Sequence, residues 1–175
     1  MKETILVIGG CRSGKSRHAQ ELAEAMTGDR KLFLATCVPQ DAEMRERVRK
    51  HRKERGDRWS ALEVPVDIAD AVWEQSPMFD AILLDCLTLW MSNILMETRD
   101  AHAVETKIGE LTDALDRAAC PVILVSNEVG AGIVPENGLA RQYRDLVGLA
   151  NQRVAASADR VIWTVAGIPV PIKTP

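Results

Sequence analysis

The chain has 175 residues, 46% of them hydrophobic and 27% charged, with a formal net charge of -3. This composition is typical of one globular domain with a sizeable core, spanning residues 1–175, and it argues against a disordered chain and against a nucleic-acid partner. No apolar run approaches the roughly 18 residues of a membrane span, and the amino-terminal run is too short for a signal peptide, so we expect a cytoplasmic protein without a membrane segment.

The hydrophobic pattern predicts strands that alternate with helices. In chain order, the predicted elements are a strand at 4–10, a helix at 15–26, a strand at 31–36, a polar helix at 41–55, a short strand at 61–65, a helix at 66–74, a strand at 81–86, a helix at 104–119, a strand at 121–128, a helix at 139–156 and a strand at 160–165. Residues 167–173 follow at once and contain prolines, so we expect them to pair antiparallel at an edge. The expected fold is a three-layer α/β domain with a mostly parallel sheet and an antiparallel carboxyl-terminal edge strand.

Polar residues cluster where the predicted strands end. The glycine-rich stretch 9–16, Thr36, Asp85 and residues 126–128 each follow or close a strand. Ligands of parallel α/β sheets bind at the carboxyl ends of the strands. We therefore expect these groups to share one crevice, although they lie far apart in the sequence.

The stretch "GGCRSGKS", residues 9–16, fits the phosphate-loop pattern G-x-x-x-x-G-K-[ST] and lies between a predicted strand and a predicted helix. Glycines let backbone N–H groups turn toward phosphate oxygens, and the helix N-terminus adds the positive end of its dipole. Lys15 is expected to reach the β- and γ-phosphates, and Ser16 to ligate Mg²⁺. The alternative is a chance glycine-rich turn.

Asp85 nearly closes the strand "AILLDC", where an acidic side chain holds Mg²⁺ directly or through water in phosphate-loop enzymes. A helix cap or a surface aspartate is the alternative interpretation. The sequence thus predicts a phosphate-loop nucleotide-binding enzyme, and kinases, GTPases and ATPases all remain open. The absence of the base-reading motif N-K-x-D weakens the case for a signalling GTPase.

The four cysteines lie far apart and form no C-x-x-C pair, so we expect reduced thiols rather than a zinc site or disulfides. They are Cys11, Cys37, Cys86 and Cys120. Trp59, Trp73, Trp90 and Trp163 are expected in the core or at an interface. We expect His18 to pack or be solvated on the first helix and His102 to be exposed in a polar linker.

The segment "RERVRKHRKER", residues 45–55, surrounds His51 with seven Lys/Arg and two Glu in a chain of slightly acidic balance. A charge run of this kind is usually the solvated face of a helix. Contact with nucleic acid and a catalytic role for His51 are the other two interpretations. The residues alone do not decide among the three.

A resemblance to a known family favours the catalytic interpretation of His51 over the other two. The stretches "GGCRSGKSRHAQ", "ATC", "DAEMRERVRKHRKERGDRW", "LLDCLTLWMSN" and "VSNEVGAGIVPENGLARQYRDLVGLANQRVA" resemble, in order and spacing, the motifs of the bifunctional adenosylcobinamide kinase/adenosylcobinamide-phosphate guanylyltransferases. The resemblance runs from residue 5 to about residue 173. It implies a P-loop NTPase fold of the RecA-like type and a homotrimer.

The resemblance implies two reactions. The first phosphorylates the aminopropanol hydroxyl of adenosylcobinamide with ATP or GTP. The second transfers GMP from GTP to that phosphate through a GMP–histidine intermediate, giving adenosylcobinamide-GDP and pyrophosphate. The histidine of the family motif falls on His51, so His51 is the expected catalytic residue. We also expect residues 41–55 to move between the substrate-free and GTP-bound states.

The chemistry explains why positive charge surrounds this histidine. A neutral imidazole can attack the α-phosphorus of GTP, which divides one displacement into two easier ones. The neighbouring cations neutralise the charge that develops on the phosphate oxygens, and arginine can do so through two hydrogen bonds. They also disfavour the imidazolium form, which keeps the nucleophile unprotonated.

The motifs and the resemblance together give the candidate site, with Mg²⁺ as cofactor held by Ser16 and Asp85, and with GTP, ATP and adenosylcobinamide as the partners. The predicted nucleotide-binding residues are Gly9, Gly10, Cys11, Arg12, Ser13, Gly14, Lys15, Ser16, Ala35, Thr36, Cys37, Arg52, Lys53, Glu54, Arg55, Glu63 and Asp85. The alternative interpretation of Glu63 is an exposed acidic residue on an edge strand.

The stretch "SNEVGAGIVPENG" is expected to be a loop that lines the site or closes over it. Within and after it, Asn127 and Glu128 are candidates to orient a hydroxyl or a bound water, and Arg141 and Arg144 to reach phosphate or pair with Asp145. Two rival functions remain open: an enzyme with only one of the two activities, and a nucleotide-dependent regulatory switch.

Overall fold

The computed structural model of the chain describes residues 2–38, Glu46, Gly56 and 58–175. Within this part of the chain, seven strands form one sheet, and helices cover both of its faces. The strands are β1 (Thr4–Gly9), β2 (Lys31–Ala35), β3 (Trp59–Glu63), β4 (Ala81–Asp85), β5 (Val122–Asn127), β6 (Arg160–Val165) and β7 (Ile168–Lys173). The helices are α1 (Lys15–Ala25), α2 (Ile68–Gln75), α3 (Leu87–Thr98), α4 (Ala101–Arg117) and α5 (Gly138–Ser157).

The sheet has the strand order β3-β2-β4-β5-β1-β6-β7. All neighbouring strands pair in parallel except β6 and β7, which pair antiparallel. Pro169 and Pro171 lie in β7, where a residue without a backbone N–H is tolerated because the strand is at the edge. The predicted mostly parallel sheet with an antiparallel edge strand is confirmed.

The two faces of the sheet bury separate apolar clusters. Alternate residues of the strands, such as Val7, Leu83 and Val125, pack with α1 on one face. The other alternation, such as Leu84 and Leu124, packs with α2, α3, α4 and α5 on the opposite face. These three layers are the architecture that the alternation of strands and helices predicts.

Helix α3 is the element that the sequence pattern does not predict. Its buried residues are Leu87, Thr88, Trp90, Met91, Ile94 and Leu95. They occupy much of the helix circumference because α3 packs against β5 and also against α4 and α5. A helix buried on several sides has no single apolar stripe, so its 3.6-residue period is weak.

Two smaller predictions have different outcomes. His102 is exposed as expected, but it lies in the first turn of α4 rather than in a linker, and its N–H donates to the capping Asp100 carboxylate at 2.9 Å. Trp90 lies in the core with 1% of its surface exposed, whereas Trp73 is 55% exposed.

The predicted helix at 41–55 lies outside the described residues except for Glu46. Among the described helices, none combines the length and the apolar composition of a membrane span.

The contrast between the two tryptophans gives a test of the core. Trp90 also donates its indole N–H to the Val66 carbonyl at 2.5 Å. Trp90→Ala should therefore lower the free energy of unfolding by roughly 3–5 kcal/mol. Trp73→Ala should change it by less than about 0.5 kcal/mol. Urea unfolding of both variants measures the difference, and equal losses would contradict this assignment of the core.

Candidate functional site

The phosphate loop joins β1 to α1 at the carboxyl edge of the sheet. Gly14 caps α1 with φ 93°, a left-handed conformation that favours glycine. Within the loop, Ser13 N–H donates to Gly10 O at 3.3 Å, and His18 N–H donates to Gly14 O at 3.0 Å as the helix begins. The local fold is thus the strand–loop–helix turn that the motif requires.

Gly9 allows the loop to lie directly on the neighbouring strand. A Cβ at Gly9 would lie 2.4 Å from the Thr164 carbonyl oxygen and 2.6 Å from Ser13 Oγ. By contrast, a Cβ at Gly10 would meet no atom within 4 Å. The first glycine of the motif is therefore required for close packing.

Lys15 and Ser16 occupy the first turn of α1. Lys15 is only 8% exposed, and its Nζ donates to Gly10 O at 3.0 Å, so the ammonium lies over the loop. Ser16 is half-buried. A lysine over a glycine-rich loop at a helix N-terminus is the arrangement that binds a di- or triphosphate.

Backbone hydrogen bonds from both neighbouring strands hold the loop in place. Glu128 N–H, just after β5, donates to Gly9 O at 3.1 Å. Gly167 N–H, in the turn between β6 and β7, donates to Ser13 O at 3.0 Å. Residues more than a hundred positions away therefore fix the shape of the phosphate loop.

Asp85 ends β4 on the same face of the sheet as α1, since Leu83 packs in the α1-side cluster and side chains alternate along a strand. Strand β4 is two strands from β1, a separation of about 10 Å. Next to Asp85, burial raises the pKa of the Cys86 thiol to about 11. The Asp85 carboxylate also raises that pKa, while the Lys15 ammonium lowers it.

A buried hydrogen-bond network lies beneath this edge. Thr36 Oγ1 donates to Cys86 O at 2.8 Å and accepts from Cys86 N–H at 2.9 Å. The Cys86 sulfur lies 3.0 Å from Thr88 Oγ1, which accepts from Asn127 Nδ2 at 3.1 Å. Tyr143 OH donates to Thr88 O at 2.9 Å. The ends of β2, β4 and β5 and the start of α3 are therefore one connected polar unit.

The predicted site residues lie along one edge of the sheet in two groups, which the hydrogen bonds between Thr36 and Cys86 connect. The phosphate loop, with Asp85 nearby, forms the first group. The second group consists of Thr36 and Cys37, which follow β2, and Glu63, which ends β3. With a spacing of about 4.8 Å between neighbouring strands, β2 lies about 14 Å and β3 about 19 Å from β1. His51 and residues 52–55 come between β2 and β3 in the chain and lie outside the described residues.

Sequence reasoning missed several polar residues at this edge. Thr88 and Tyr143 belong to the network, and Thr164 packs against the phosphate loop. Thr88 and Tyr143 lie within stretches that resemble the family, but the residue patterns assign neither of them a role, and Thr164 lies outside those stretches. Arg141 and Arg144 donate to loop carbonyls, at 3.1 Å to Pro135 O and 2.6 Å to Gly130 O, so they brace the loop after β5, and a contact with phosphate stays a prediction.

A separate open groove of about 480 Å³ lies between α4 and α5. Its lining includes Ala101, Glu105, Gly138, Gln142 and Leu149. Because α4 and α5 cover the face of the sheet opposite to α1, this groove does not open onto the phosphate loop. Its position gives no reason to assign it to the nucleotide phosphates.

The oxygen atoms near the phosphate loop are suitable ligands for a magnesium ion. Mg²⁺ prefers oxygen ligands, keeps several waters and binds through one or two carboxylates together with substrate phosphates. The half-buried Ser16 hydroxyl and the Asp85 carboxylate supply such oxygens on the α1 face. Among the described residues, no group of three or more His, Cys, Asp or Glu side chains could hold a metal by itself, so the phosphates would have to complete the ligand set.

Two glycine variants test the packing of the loop. Gly9→Ala places a methyl group against the Thr164 carbonyl, so it should lower the free energy of unfolding by roughly 1–3 kcal/mol. Gly10→Ala adds the same group in open space and should change stability by less than about 0.5 kcal/mol. Thermal and urea unfolding compare the two, and a stable Gly9→Ala protein would show that the close contact is not required.

The buried thiols predict a loss of stability at high pH. Burial raises the pKa of both Cys86 and Cys120 from 9.0 to about 11. The folded state thus favours the neutral thiol, so this stabilisation is fully present below pH 9 and is lost as the pH rises toward 11. The loss is at most about 2.7 kcal/mol for each thiol, since one pKa unit corresponds to about 1.4 kcal/mol. Urea unfolding between these pH values should show a smaller pH dependence in Cys120→Ala than in the original chain; identical slopes would contradict the shift.

The chain matches the family described as cobinamide kinase / cobinamide phosphate guanyltransferase over residues 5–172. It is 43% identical to the bifunctional adenosylcobalamin biosynthesis protein CobU of Salmonella typhimurium, over 97% of this chain and 99% of that protein. It is 39% identical to the bifunctional adenosylcobalamin biosynthesis protein CobP of Pseudomonas aeruginosa, over 96% of each.

Solved structures support the fold. The flagellar accessory protein FlaH of Methanocaldococcus jannaschii aligns with a TM-score of 0.53 and 14% identity, covering 98% of this chain and 78% of that one. The P4 protein of bacteriophage phi6 in complex with ADP aligns with a TM-score of 0.52 and 16% identity, covering 95% and 52%. These similarities confirm the P-loop NTPase fold. The full-length family match adds the identity: the chain belongs to the cobinamide kinase / cobinamide phosphate guanyltransferase family, as its motifs predict.

Proposed function

We propose that this chain phosphorylates adenosylcobinamide with ATP or GTP and then transfers GMP from GTP to the new phosphate, releasing pyrophosphate. The observation that carries the proposal is the phosphate loop with Lys15 over it, on a face that Asp85 shares. The family of the chain agrees with both activities. The loop supplies the phosphate chemistry that each reaction needs.

In the kinase step, the aminopropanol hydroxyl oxygen attacks the γ-phosphorus, the bond from the γ-phosphorus to the β–γ bridging oxygen breaks, the nucleoside diphosphate leaves, and the hydroxyl proton passes to solvent. The backbone N–H groups of the loop and the Lys15 ammonium hold the phosphates and stabilise the charge that develops on their oxygens. Ser16 and Asp85 are the residues that would hold Mg²⁺. When bound, Mg²⁺ would neutralise charge on the β- and γ-phosphates.

In the transfer step, a neutral His51 nitrogen attacks the α-phosphorus of GTP, and pyrophosphate leaves. A phosphate oxygen of adenosylcobinamide phosphate then attacks the same phosphorus, and the bond to histidine breaks. Arg52, Lys53 and Arg55 neutralise the developing charge. The position of this segment in the chain supports the assignment, because it leaves β2 beside Thr36 and Cys37, at the edge that holds the phosphate loop.

The second group of residues suggests how the nucleotide is arranged. We assign the triphosphate to the phosphate loop and assign contacts with the guanosine to Thr36, Cys37 and Glu63. The Thr36 hydroxyl already makes two hydrogen bonds to Cys86, so its contribution would come through the backbone. We further propose a cytoplasmic homotrimer, and sedimentation of the purified protein tests the trimer.

Covalent labelling separates the two reactions. With Mg²⁺ and α-³²P-GTP, the original chain should acquire an acid-labile protein-bound label. His51→Ala should lose the label and the guanylyl transfer while keeping most of the kinase rate. Lys15→Ala should lower the kinase rate by about 100-fold, because it removes a charge that stabilises the transferring phosphoryl group.

The exposed His102 in α4 provides a matched control. His102→Ala should keep both the label and the kinase activity. A label that persists in His51→Ala would refute the histidine intermediate. Kinase activity without any label in the original chain would show that the protein has only the kinase activity.

A further inference from the structure

Four buried side-chain atoms have no hydrogen-bond partner within the described part of the chain: Ser13 Oγ, Asn127 Oδ1, Ser157 Oγ and Thr164 Oγ1. Such atoms are uncommon in native proteins, and each requires an explanation. Three of the four surround Gly9. In the sheet register, Gly9 lies between Asn127 of β5 and Thr164 of β6, and a Cβ at Gly9 would lie 2.6 Å from Ser13 Oγ.

These three residues are on the side of the sheet where the phosphate loop lies. Ile162 and Val125 pack in the α1-side cluster, so Thr164 and Asn127, two positions later on the same strands, also face α1. The fourth atom belongs to Ser157, which ends α5 at the opposite edge of the sheet. The unpartnered groups are therefore concentrated under the loop.

Thr164 is the member of this set to which neither the motifs nor the family match gives a role. It is 1% exposed, and Ser13 is 7% exposed. A valine would fill the same shape without burying an unpartnered hydroxyl. Packing alone therefore does not explain why this position carries a threonine.

A bound phosphate would give both hydroxyls a use. Lys15 Nζ donates to Gly10 O at 3.0 Å, and a phosphate oxygen would compete for the same ammonium. Transfer of Lys15 to phosphate would release the Gly10 carbonyl and let the loop settle around the anion. Ser13 lies in the part of the loop that would adjust.

We propose that Thr164 is a positioning residue of the nucleotide site, and that its hydroxyl is hydrogen-bonded only when phosphate occupies the loop. In that state Thr164 O–H donates to Ser13 Oγ, and Ser13 O–H donates to a phosphate oxygen. The inference rests on the nucleotide site of the proposed function. It adds a residue from β6 that acts through Ser13 rather than touching the nucleotide.

This assignment predicts opposite effects on stability and on binding. Thr164→Val removes a hydroxyl that has no partner in the protein alone, so the melting temperature without nucleotide should stay equal or rise. The same change should weaken binding of GTP about tenfold, because the bound state loses a hydrogen bond in a chain that ends on a charged group. A residue with a merely structural role would not weaken binding while preserving stability.

The experiment measures the melting temperature without ligand, and the Kd by calorimetry, for GTP and for inorganic tripolyphosphate with Mg²⁺. Thr164→Ser keeps the hydroxyl and should restore the Kd of the original chain. Ser157→Ala is the matched control, since it removes an unpartnered buried hydroxyl far from the loop and should leave the Kd unchanged. Tripolyphosphate should show the same tenfold effect as GTP, because Ser13 contacts phosphate and not the base.

Each other outcome overturns the inference. An equal Kd for Thr164→Val and the original chain shows that the hydroxyl does not serve the bound state. A lower melting temperature for Thr164→Val without ligand shows that the hydroxyl already has a partner. If the folded original chain binds GTP no better than Lys15→Ala, the nucleotide site of the proposed function fails as well, and this result is distinct from the first two.

Discussion

Strand β1 is the constraint on which the rest of the site depends. All six of its residues are buried or nearly so, and it pairs in parallel with β5 on one side and β6 on the other. A one-residue slip would turn its apolar side chains to the wrong face on both sides at once. The register of β1 therefore fixes the height at which Gly9 ends the strand, and this sets the position of the phosphate loop.

From that fixed point, the chemistry is gathered from distant parts of the chain. Asp85 reaches the same edge of the sheet as Lys15 because β4 and β1 run parallel, and the same face because it lies two residues after Leu83, which packs in the α1-side cluster. The network from Thr36 through Cys86 and Thr88 to Asn127 keeps the strand ends at a constant spacing. Buried polar networks of this kind are costly unless their members are bonded, so the few unbonded atoms near Gly9 stand out.

The sequence was informative where the physics is local. A buried strand that ends in a glycine-rich loop and a helix can be identified from twenty residues, and the prolines of β7 indicate an edge. Helix α3 could not be predicted because its burial depends on three neighbouring elements rather than on its own pattern. Thr164 could not be identified because its environment is created by Gly9, a residue far away in the sequence.

The position of Glu63 relative to the phosphate loop was beyond the sequence. Hydrogen bonds join the strand ends at Thr36, Cys86, Asn127 and Gly9, in line with the predicted crevice, but the strand order places Glu63 of β3 four strands from β1. Strand order depends on which apolar faces match in three dimensions, and this information is not contained in any single segment. The segment that carries His51 joins β2 to β3, so its place in the chain is fixed even though it lies outside the described residues.

The position of β1 has a consequence for how the protein is made. Its partners follow late in translation: Thr4 N–H, at the start of β1, donates to the Asp159 carboxylate across 155 residues. At the usual speed of the ribosome, the first strand would wait on the order of ten seconds before both of its neighbours exist. During that time, the apolar residues of β1 have no sheet to join, and the phosphate loop lacks the contacts with Glu128 and Gly167 that hold it in place.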